Sequence, residues 1–353
     1  MCLSNLNVKS NVKNYDVLFK DDAEFIKDLA SLENALYIID ANVWHLYKDT
    51  ILKVLPLERV IVQDVHEDKK NIKTVCYLYE KIMDFSLHRN MHLISFGGGI
   101  IQDVTGFVAS TIFRGVDWIF VPTTLLSQVD SCIGGKTSLN FKQFKNLIGT
   151  FYPPAQVYLY PGFLNTLNRE DFYSGIGEMA KLHLIGGEEQ ALRFIEFLSR
   201  IELRDTSILL DMIYNSLKIK KGYIESDEFD TGLRSILNFG HCFGHAIESA
   251  TNFAIPHGQA VVLGMIIANK YALKIGMLSK ELERFIREKF LNPIFVVPVP
   301  SWRDTEIVEA MKQDKKVTGK GLALVMLTDD YKMTKITDIE EKDILEFLKN
   351  VHY

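Results

Sequence analysis

The sequence predicts an α/β domain followed by a mostly helical domain, with the change near residue 165. Two observations support this division. Before residue 165, short β-rich runs alternate with runs of helical periodicity, a pattern typical of a parallel sheet covered by helices. After residue 165, amphipathic helical patterns dominate. We therefore expect one domain over residues 1–165 and a second over residues 166–353.

The individual elements follow from hydrophobic periodicity and flanking turns. Short apolar runs predict strands at 35–40, 60–65, 92–99, 117–124 and 156–160, with a helix over 74–87. Apolar residues recurring every third or fourth position predict helices at 170–185, 188–203, 206–226, 232–251, 257–275, 279–290, 304–313 and 341–350. Ligands of open parallel sheets bind at the carboxyl ends of the strands, so we expect functional residues there.

The composition is that of an ordinary globular protein. Hydrophobic residues make up 47% of the 353 residues and charged residues 24%, which provides for an ample core. The net charge of −5 gives no sign of nucleic-acid binding. The four cysteines are scattered, so we expect reduced thiols. The sequence contains neither an apolar signal segment nor a run of 18 apolar residues, which makes a cytoplasmic protein the expectation.

A stripe of polar residues runs through residues 234–248. Arg234, Asn238, His241, His245 and Glu248 are separated by 4, 3, 4 and 3 positions, spacings that return to one face of an α-helix. Most residues between them are apolar, so we predict a largely buried helix over 232–251. Because buried polar groups are costly without partners, the stripe indicates a functional site more than a solvated helix face.

A second polar pair, Glu178 and Lys181, lies in the segment GIGEMAK at 175–181. The two side chains share a helix face, and a surface ion pair is the simplest interpretation. A carboxylate with two histidines is also an accepted ligand set for catalytic zinc. Spacing leaves two sets open, because Glu178 and His241 could be joined by His245 or by His257. In the second case His245 is left for acid–base chemistry.

Two segments of the first domain could hold an anion. Gly97–Gly99 lie between a predicted strand and a helix, so the backbone could approach a phosphate at the helix N-terminus. The turn does not match G-x-G-x-x-G, and Asp103 could simply cap the helix. Thr123 and Thr124 end another predicted strand. Cations for phosphate or carboxylate groups follow at Lys136, Lys142 and Lys145, although a solvated loop is an equal alternative.

Taken together, these segments resemble the 3-dehydroquinate synthases, a family of the sugar phosphate cyclases. The resemblance covers nearly the whole chain. The matching motifs are GGGxxxD (97–103), FRG (113–115), PTTLLSQVDSxxGGKT (122–137), KNLIGxF (145–151), LxTLxRE (164–170), GExxK (177–181), GLRxxLNFGHxFGHAIE (232–248), HGxAV (257–261) and DKKV (314–317). Their number and order make the resemblance specific.

The resemblance implies a Rossmann-like, NAD-binding α/β domain, a helical metal-binding domain, and a homodimer. It places the three metal ligands, for zinc or cobalt, at Glu178, His241 and His257. It places contacts to the phosphorylated substrate, or catalytic roles, at Asp130, Lys136, Asn146, Lys181, Lys220, Arg234, Asn238, His245, Lys315 and Lys316. Contacts to NAD fall at Asn42, Glu67, Lys70, Gly98, Gly99, Asp103, Thr123, Thr124, Lys136, Lys145, Phe163 and Thr166. Arg114 matches an arginine that reaches a phosphate across the dimer interface.

The implied reaction converts 3-deoxy-D-arabino-heptulosonate 7-phosphate to 3-dehydroquinate and phosphate, a step of the shikimate pathway of aromatic amino acid biosynthesis. The paired Arg234 and Asn238 favour this keto acid, because a guanidinium suits a carboxylate. Gln102, Gln259 and Asp230 depart from the usual Gly, Glu and Glu of the family, and the loss of charge at Gln259 could retune the metal. The alternatives are a cyclase of a specialised pathway, acting for example on sedoheptulose 7-phosphate, an NAD- and metal-dependent polyol dehydrogenase, and a non-catalytic relative.

Overall fold

A computed structural model describes residues 4–85, 89–142, 144–299, 301–318 and 322–351, with the side chains of 313–318 excluded. The chain forms two compact units. The first unit consists of residues 1–167 and 209–229, and the second of residues 168–208 and 230–353. The domain boundary that the sequence predicts between residues 165 and 166 stays a prediction. The sequence-based prediction did not include the return of residues 209–229 to the first unit.

The first unit is built on a seven-stranded sheet with the order β1-β2-β9-β6-β5-β3-β4. Its elements are β1 (Leu6–Val8), β2 (Tyr15–Phe19), α1 (Phe25–Ala30), β3 (Ala35–Asp40), α2 (Ala41–Tyr47), β4 (Val60–Gln63), α3 (Ile72–Met83), β5 (His92–Gly97), α4 (Gly99–Thr111), β6 (Asp117–Pro122), β7 (Lys136–Phe141), β8 (Phe144–Phe151) and β9 (Gln156–Leu159). All pairings in this sheet are parallel except that of β1 with β2. The predicted parallel sheet is therefore confirmed.

The central strands are apolar on both faces, as expected for a sheet covered on both sides. Residues 35–39 of β3 are all buried, as are residues 93–97 of β5. The sequence did not predict the antiparallel hairpin of β7 and β8, which forms a separate two-stranded sheet. Lys136 begins β7 and Lys145 lies in β8, so these two lysines lie in strands and not in a loop, although both are exposed to solvent as the alternative expected.

The second unit is mostly helical, as predicted. Its elements are α5 (Arg169–Ile185), α6 (Glu188–Leu198), α8 (His241–Ala250), α9 (His257–Lys274), α10 (Lys280–Phe285), α11 (Asp304–Thr318), β10 (Leu322–Leu327), β11 (Met333–Ile339) and α12 (Glu341–Asn350), while α7 (Thr206–Ser226) lies mostly in the first unit. The hairpin of β10 and β11 was not predicted. Within the residues that the structure describes, no helix is long and apolar enough to cross a membrane.

The predicted single helix over 232–251 was wrong. A 3₁₀ helix covers Leu233–Asn238, and α8 begins only at His241. Gly240 separates them with φ of +78°, and a Cβ at this position would lie 2.7 Å from the Val261 carbonyl oxygen. Only glycine fits there, so the polar stripe is divided between two short helices that meet at a sharp turn.

Candidate active site

Helices α5 and α9 of the second unit cross with their backbones in contact. A Cβ on Gly258 would lie 1.8 Å from the Ser174 carbonyl oxygen, and one on Gly177 would lie 2.3 Å from the Gly258 oxygen. The Gly258 N–H also donates a hydrogen bond to Ser174 Oγ over 2.9 Å. Because each glycine has a metal-binding candidate as its sequence neighbour, this crossing brings Glu178 beside His257.

Helix α8 approaches α9 equally closely. A Cβ on Gly264 would lie 2.0 Å from the Gly240 carbonyl oxygen. The approach is possible because both positions lack a side chain. Gly244 lies against Ala260 in the same contact, so α8 runs antiparallel along α9, and the centroids of the His241 and His257 rings are 5.4 Å apart. The two histidines come from separate helix N-termini, which is why their spacing in sequence does not reveal their proximity.

Three imidazoles and one carboxylate converge at these crossings. One ring nitrogen from each of His241, His245 and His257 lies within 4.8 Å of the others. Glu178 Oε1 lies 3.5 Å from His241 Nε2 and 3.2 Å from His257 Nε2. Its side chain is only 1% exposed, whereas His245 is exposed. A carboxylate with imidazoles is a donor set that suits zinc or cobalt, so these residues fit a divalent metal.

Two buried cations accompany the cluster. Lys181 is 2% exposed, and its Nζ lies 2.5 Å from Glu178 Oε2. Arg234 is buried in the 3₁₀ helix that precedes the histidines, and Asn238 ends the same helix. The surface ion pair considered for Glu178 and Lys181 was therefore wrong, because both groups lie in the interior. Buried charges at this density are typical of a site that binds ions.

His257 lies between two carboxylates. Its Nε2 faces Glu178, and its Nδ1 lies 3.1 Å from Glu248 Oε2. Burial lowers the pKa of His257, but the hydrogen bonds and charges of Glu178 and Glu248 outweigh burial and raise it to about 10. A carboxylate on the far nitrogen fixes the orientation of an imidazole whose other nitrogen binds a metal.

Gln259 does not belong to this cluster of charges. Its Nε2 donates to the carbonyls of Tyr173 (2.9 Å) and Ile294 (3.1 Å), and its Oε1 accepts from the Val296 N–H over 2.9 Å. The buried amide thus joins α9 to two other segments of the second unit. Within the described part of the chain, these hydrogen bonds all go to backbone groups, so they give no support to the idea that Gln259 retunes the metal by removing a charge.

In the first unit, the predicted dinucleotide contacts collect at the carboxyl ends of the parallel strands. Gly98 is the N-cap of α4 directly after β5, and no side chain caps this helix. The neighbouring strand β6 is tied to the turn because the Thr123 N–H donates to the Gly97 carbonyl over 2.9 Å. Thr124 lies against Gly98, since a Cβ there would be 3.1 Å from Thr124 Cγ2. The exposed N–H groups of such a turn suit a phosphate.

A polar network of buried and exposed side chains includes Asp103 of the same helix. Lys70 Nζ lies 2.5 Å from Asp103 Oδ2 and donates to Asn146 Oδ1 over 2.6 Å. Ser138 Oγ donates to Asp103 over 3.0 Å. Burial raises the pKa of Asp103, and the nearby Lys70 charge opposes this shift. Asp103 is the fifth residue of α4 and is held by Lys70 and Ser138, so the interpretation that it caps the helix was wrong.

Asn140 extends the network to Glu67. Its Nδ2 donates to Glu67 Oε1 over 2.8 Å, and its Oδ1 accepts from the Asn146 N–H over 2.9 Å. Lys145 Nζ lies 3.8 Å from the same Glu67 oxygen. The sequence alone did not indicate Ser138 and Asn140. The hairpin of β7 and β8 was not predicted, so there was no reason to expect that alternate residues of β7 face this network.

Asp130 and Lys220 form a further buried pair in the first unit. Their charged groups are in contact, and Lys220 Nζ also donates to the Asp130 carbonyl oxygen over 2.7 Å. Asp130 lies in a π-helix, Ser127–Ser131, and π-helical turns are frequent at functional sites. Lys220 lies on α7, so the returning segment 209–229 supplies a site candidate to the first unit.

The remaining predicted residues have varied environments. The Asn42 N–H donates to Asp40 at the start of α2, over 2.8 Å. Thr166 Oγ1 lies 2.7 Å from the Tyr47 hydroxyl, while the Phe163 ring packs in the core. Arg114 follows Phe113 and precedes Gly115 in a turn with three consecutive positive φ angles. The side chains of Lys315 and Lys316 lie outside the described residues.

The fold is shared with solved sugar phosphate cyclases. The 2-epi-5-epi-valiolone synthase of Streptomyces hygroscopicus, solved with NAD+ and Zn2+ bound, has a TM-score of 0.82 at 24% identity, with 98% of each chain covered. A 2-deoxy-scyllo-inosose synthase complexed with carbaglucose-6-phosphate, NAD+ and Co2+ has a TM-score of 0.84 at 22% identity, covering 97% of this chain and 98% of that one. At these identities the comparison defines the fold alone.

Sequence comparison is more specific. The models for the N-terminal and C-terminal parts of 3-dehydroquinate synthase match residues 60–174 and 175–317. A 3-dehydroquinate synthase of Dictyoglomus turgidum is 39% identical over 309 residues, which covers 86% of this chain and 85% of that protein. The chain belongs to the 3-dehydroquinate synthase family.

Proposed function

We propose that this protein converts 3-deoxy-D-arabino-heptulosonate 7-phosphate to 3-dehydroquinate and phosphate. The observation that carries the proposal is the convergence of buried Glu178 with His241 and His257 beside the buried Lys181, with a second buried cation, Arg234, in the 3₁₀ helix that precedes α8. A phosphorylated keto acid has two anionic groups, and buried cations are the residue type that matches such groups. Family membership supports the same reaction.

Glu178, His241 and His257 are the proposed metal ligands. Glu178 Oε1 faces both imidazoles, and Glu248 orients His257 from its far side. His245 is the exposed member of the imidazole group, so it remains accessible to substrate and suits proton transfer. A bound zinc or cobalt ion would acidify a substrate hydroxyl, and bound NAD+ would take up a hydride and return it within the turnover.

The first unit would hold NAD through the glycine turn and the polar network. The N–H groups at the start of α4 would receive the pyrophosphate, between Thr123, Thr124 and the turn itself. Lys70 and Asp103 lie within one network, so these side chains are already ordered to meet a polar ligand. The other proposed contacts are Asn42, Glu67, Gly98, Gly99, Lys136, Lys145, Phe163 and Thr166, and Phe163 would contribute through its backbone because its ring lies in the core.

The proposed substrate contacts are mainly cations and amides, which orient anions without removing protons from carbon. Arg234 and Asn238 would bind the carboxylate, because they lie on one 3₁₀ helix immediately before the histidines. Arg114 would act on a phosphate in the partner subunit of a homodimer. The remaining contacts are Asp130, Lys136, Asn146, Lys181, Lys220, Lys315 and Lys316.

The test is phosphate release from the heptulosonate phosphate with catalytic NAD+ and Zn2+ or Co2+, while the absorbance of NADH is followed. We expect stoichiometric phosphate and no accumulation of NADH, because the hydride returns to the product.

Arg234→Ala should raise KM for the keto acid phosphate. Arg169→Ala is the control, since Arg169 lies at the start of α5 and is exposed.

Two outcomes would contradict the proposal in different ways. Release from sedoheptulose 7-phosphate, with none from the keto acid, would assign the protein to a specialised cyclase. Steady NADH production from a polyol would instead assign a dehydrogenase. The buried Arg234 favours the keto acid over both, because neither alternative substrate carries a carboxylate.

A further inference from the structure

Gln102 occupies the first turn of α4, three residues after Gly99, and its side chain is 4% exposed. Both ends of its amide contact a single residue. Gln102 Nε2 donates to the Ser131 carbonyl oxygen over 2.6 Å, and Ser131 Oγ donates to Gln102 Oε1 over 2.6 Å. This reciprocal pair requires a side chain that donates and accepts at once, which an amide does and a carboxylate or thioether of similar length does not.

Ser131 is the last residue of the π-helix that carries Asp130. The other end of this π-helix is fixed by Ser127, whose Oγ lies 2.8 Å from Thr124 Oγ1. Asp130, next to Ser131, holds Lys220 through both its carboxylate and its carbonyl oxygen. The position of the π-helix therefore determines where this pair of proposed substrate contacts lies.

The same π-helix borders the glycine turn. A Cβ on Gly99 would lie 3.8 Å from Ser131 Oγ, and one on Gly98 would lie 3.1 Å from Thr124. Thr124 and Ser131 thus stand beside consecutive glycines of the turn. The hydrogen bonds of Gln102 fix Ser131 at this distance, because they tie it to the helix that the glycine turn begins.

We propose that Gln102 is a positioning residue that couples dinucleotide binding to substrate binding through Ser131. Order at the glycine turn is transmitted to the π-helix, and so to Asp130 and Lys220, by the two hydrogen bonds. The inference rests on the proposed function for the identity of the two ligands. The two hydrogen bonds hold both the helix that the glycine turn begins and the π-helix, so a break in the pair should weaken the binding of both ligands.

The test compares Gln102→Met with the wild-type protein for NAD+ affinity by calorimetric titration, and for kcat and KM of the heptulosonate phosphate. Methionine keeps the length and apolar contacts of the side chain. We expect KM to rise about tenfold and the Kd for NAD+ to rise several-fold, with kcat at saturation changed less than KM. Gln102→Glu should be at least as impaired, since it would place a carboxylate against the Ser131 carbonyl.

Tyr37→Phe is the matched control. The Tyr37 hydroxyl donates to the Leu29 carbonyl over 2.7 Å, so this variant also removes a buried side chain–backbone hydrogen bond from the first unit. It should lower Tm to a similar extent and leave both KM and the Kd for NAD+ unchanged. Equal changes of KM and Kd in the control and in Gln102→Met would overturn the proposal, because they would reflect general destabilisation.

Ser131→Ala distinguishes the proposed route from other effects of Gln102. It removes the hydroxyl donor but keeps the carbonyl acceptor, so its effect on KM should be smaller in the Gln102→Met background than in the wild type. Strictly additive effects would show that Gln102 does not act through Ser131. Absence of turnover by the wild type would contradict the proposed function, whereas the NAD+ titrations would still test the effect of Gln102 on dinucleotide binding.

Discussion

At the scale of single residues, the position of His257 between Glu178 and Glu248 has a consequence for pH dependence. Burial lowers the pKa of His257, but the two carboxylates raise it from the ordinary value of 6.5 to about 10. Between these values the folded metal-free protein holds one proton more than the unfolded chain. The contribution of His257 to the stability of the folded protein is therefore complete below pH 6.5 and is lost as pH rises through about 10.

We predict that Glu248→Gln reduces this dependence, because it removes one of the two charges that raise the pKa of His257. The measurement is Tm of the chelator-treated protein at several values between pH 6.5 and 10. The wild type should lose more stability across this range than the variant. Parallel profiles for the two proteins would show that Glu248 does not stabilise the protonated imidazole.

A second residue-scale prediction separates the histidines. His241→Ala should lose both metal and activity, because its nitrogen faces Glu178 within the proposed ligand set. His245→Ala should retain metal and lose activity by a factor of about 100 or more, as expected for a residue in proton transfer. Metal content by elemental analysis, measured together with phosphate release, checks both. Loss of metal from the His245 variant would show that His245 is itself a metal ligand.

At the scale of secondary structure elements, the site depends on how closely α5 and α9 approach. We predict that Gly258→Ala lowers metal affinity at least about tenfold, because a Cβ 1.8 Å from the Ser174 carbonyl must separate the two helices that carry Glu178 and His257. Gly276→Ala is a control for adding a methyl group, since a Cβ there has no atom within 4 Å, although its φ of +76° adds strain. Equal metal affinity in both variants would contradict the role of the helix crossing.

The described hydrogen bonds of the Gln259 side chain connect three segments of the second unit and go to backbone groups, not to the proposed metal ligands. Gln259→Met should lower the free energy of unfolding by about 2 to 3 kcal/mol, because the carbonyls of Tyr173 and Ile294 lose their donor. Metal content should be unchanged. Chemical denaturation with elemental analysis tests both statements, and a variant that loses metal at unchanged stability would restore a role for this position beside the metal.

At the scale of the whole molecule, Arg114 allows a test of whether one subunit contributes a residue to the active site of its partner. If Arg114 acts on the partner subunit's site, a heterodimer of Arg114→Ala and His241→Ala chains contains one intact site. Mixed refolding of the two inactive variants should therefore recover about a quarter of wild-type activity. Action within one chain predicts no recovery, because each chain would then carry a lesion in its own site. Refolding of each variant alone is the control.

Much of the fold could be predicted because its signals are local. The buried strands 35–40 and 92–97 are apolar on both faces, and α9 begins and ends within a residue of the prediction. The hairpin β7–β8 was missed because its strands carry weak alternation and are paired by tertiary context. In the hairpin β10–β11, β10 is a short apolar run whose strand signal was overlooked. The helix over 232–251 was overextended, because periodicity alone does not show that Gly240 adopts a left-handed conformation.

The sequence by itself determined the order of the elements, the glycine turn, and the residue types of the two polar sets, because motif spacing and periodicity are properties of the chain. Tertiary structure decided which of these residues meet. Glu178, His241 and His257 converge only because Gly258 and Gly264 allow three helices to approach within backbone contact. The Gln102–Ser131 pair likewise joins residues 29 positions apart. Such proximity depends on packing between elements, which the linear spacing of residues does not encode.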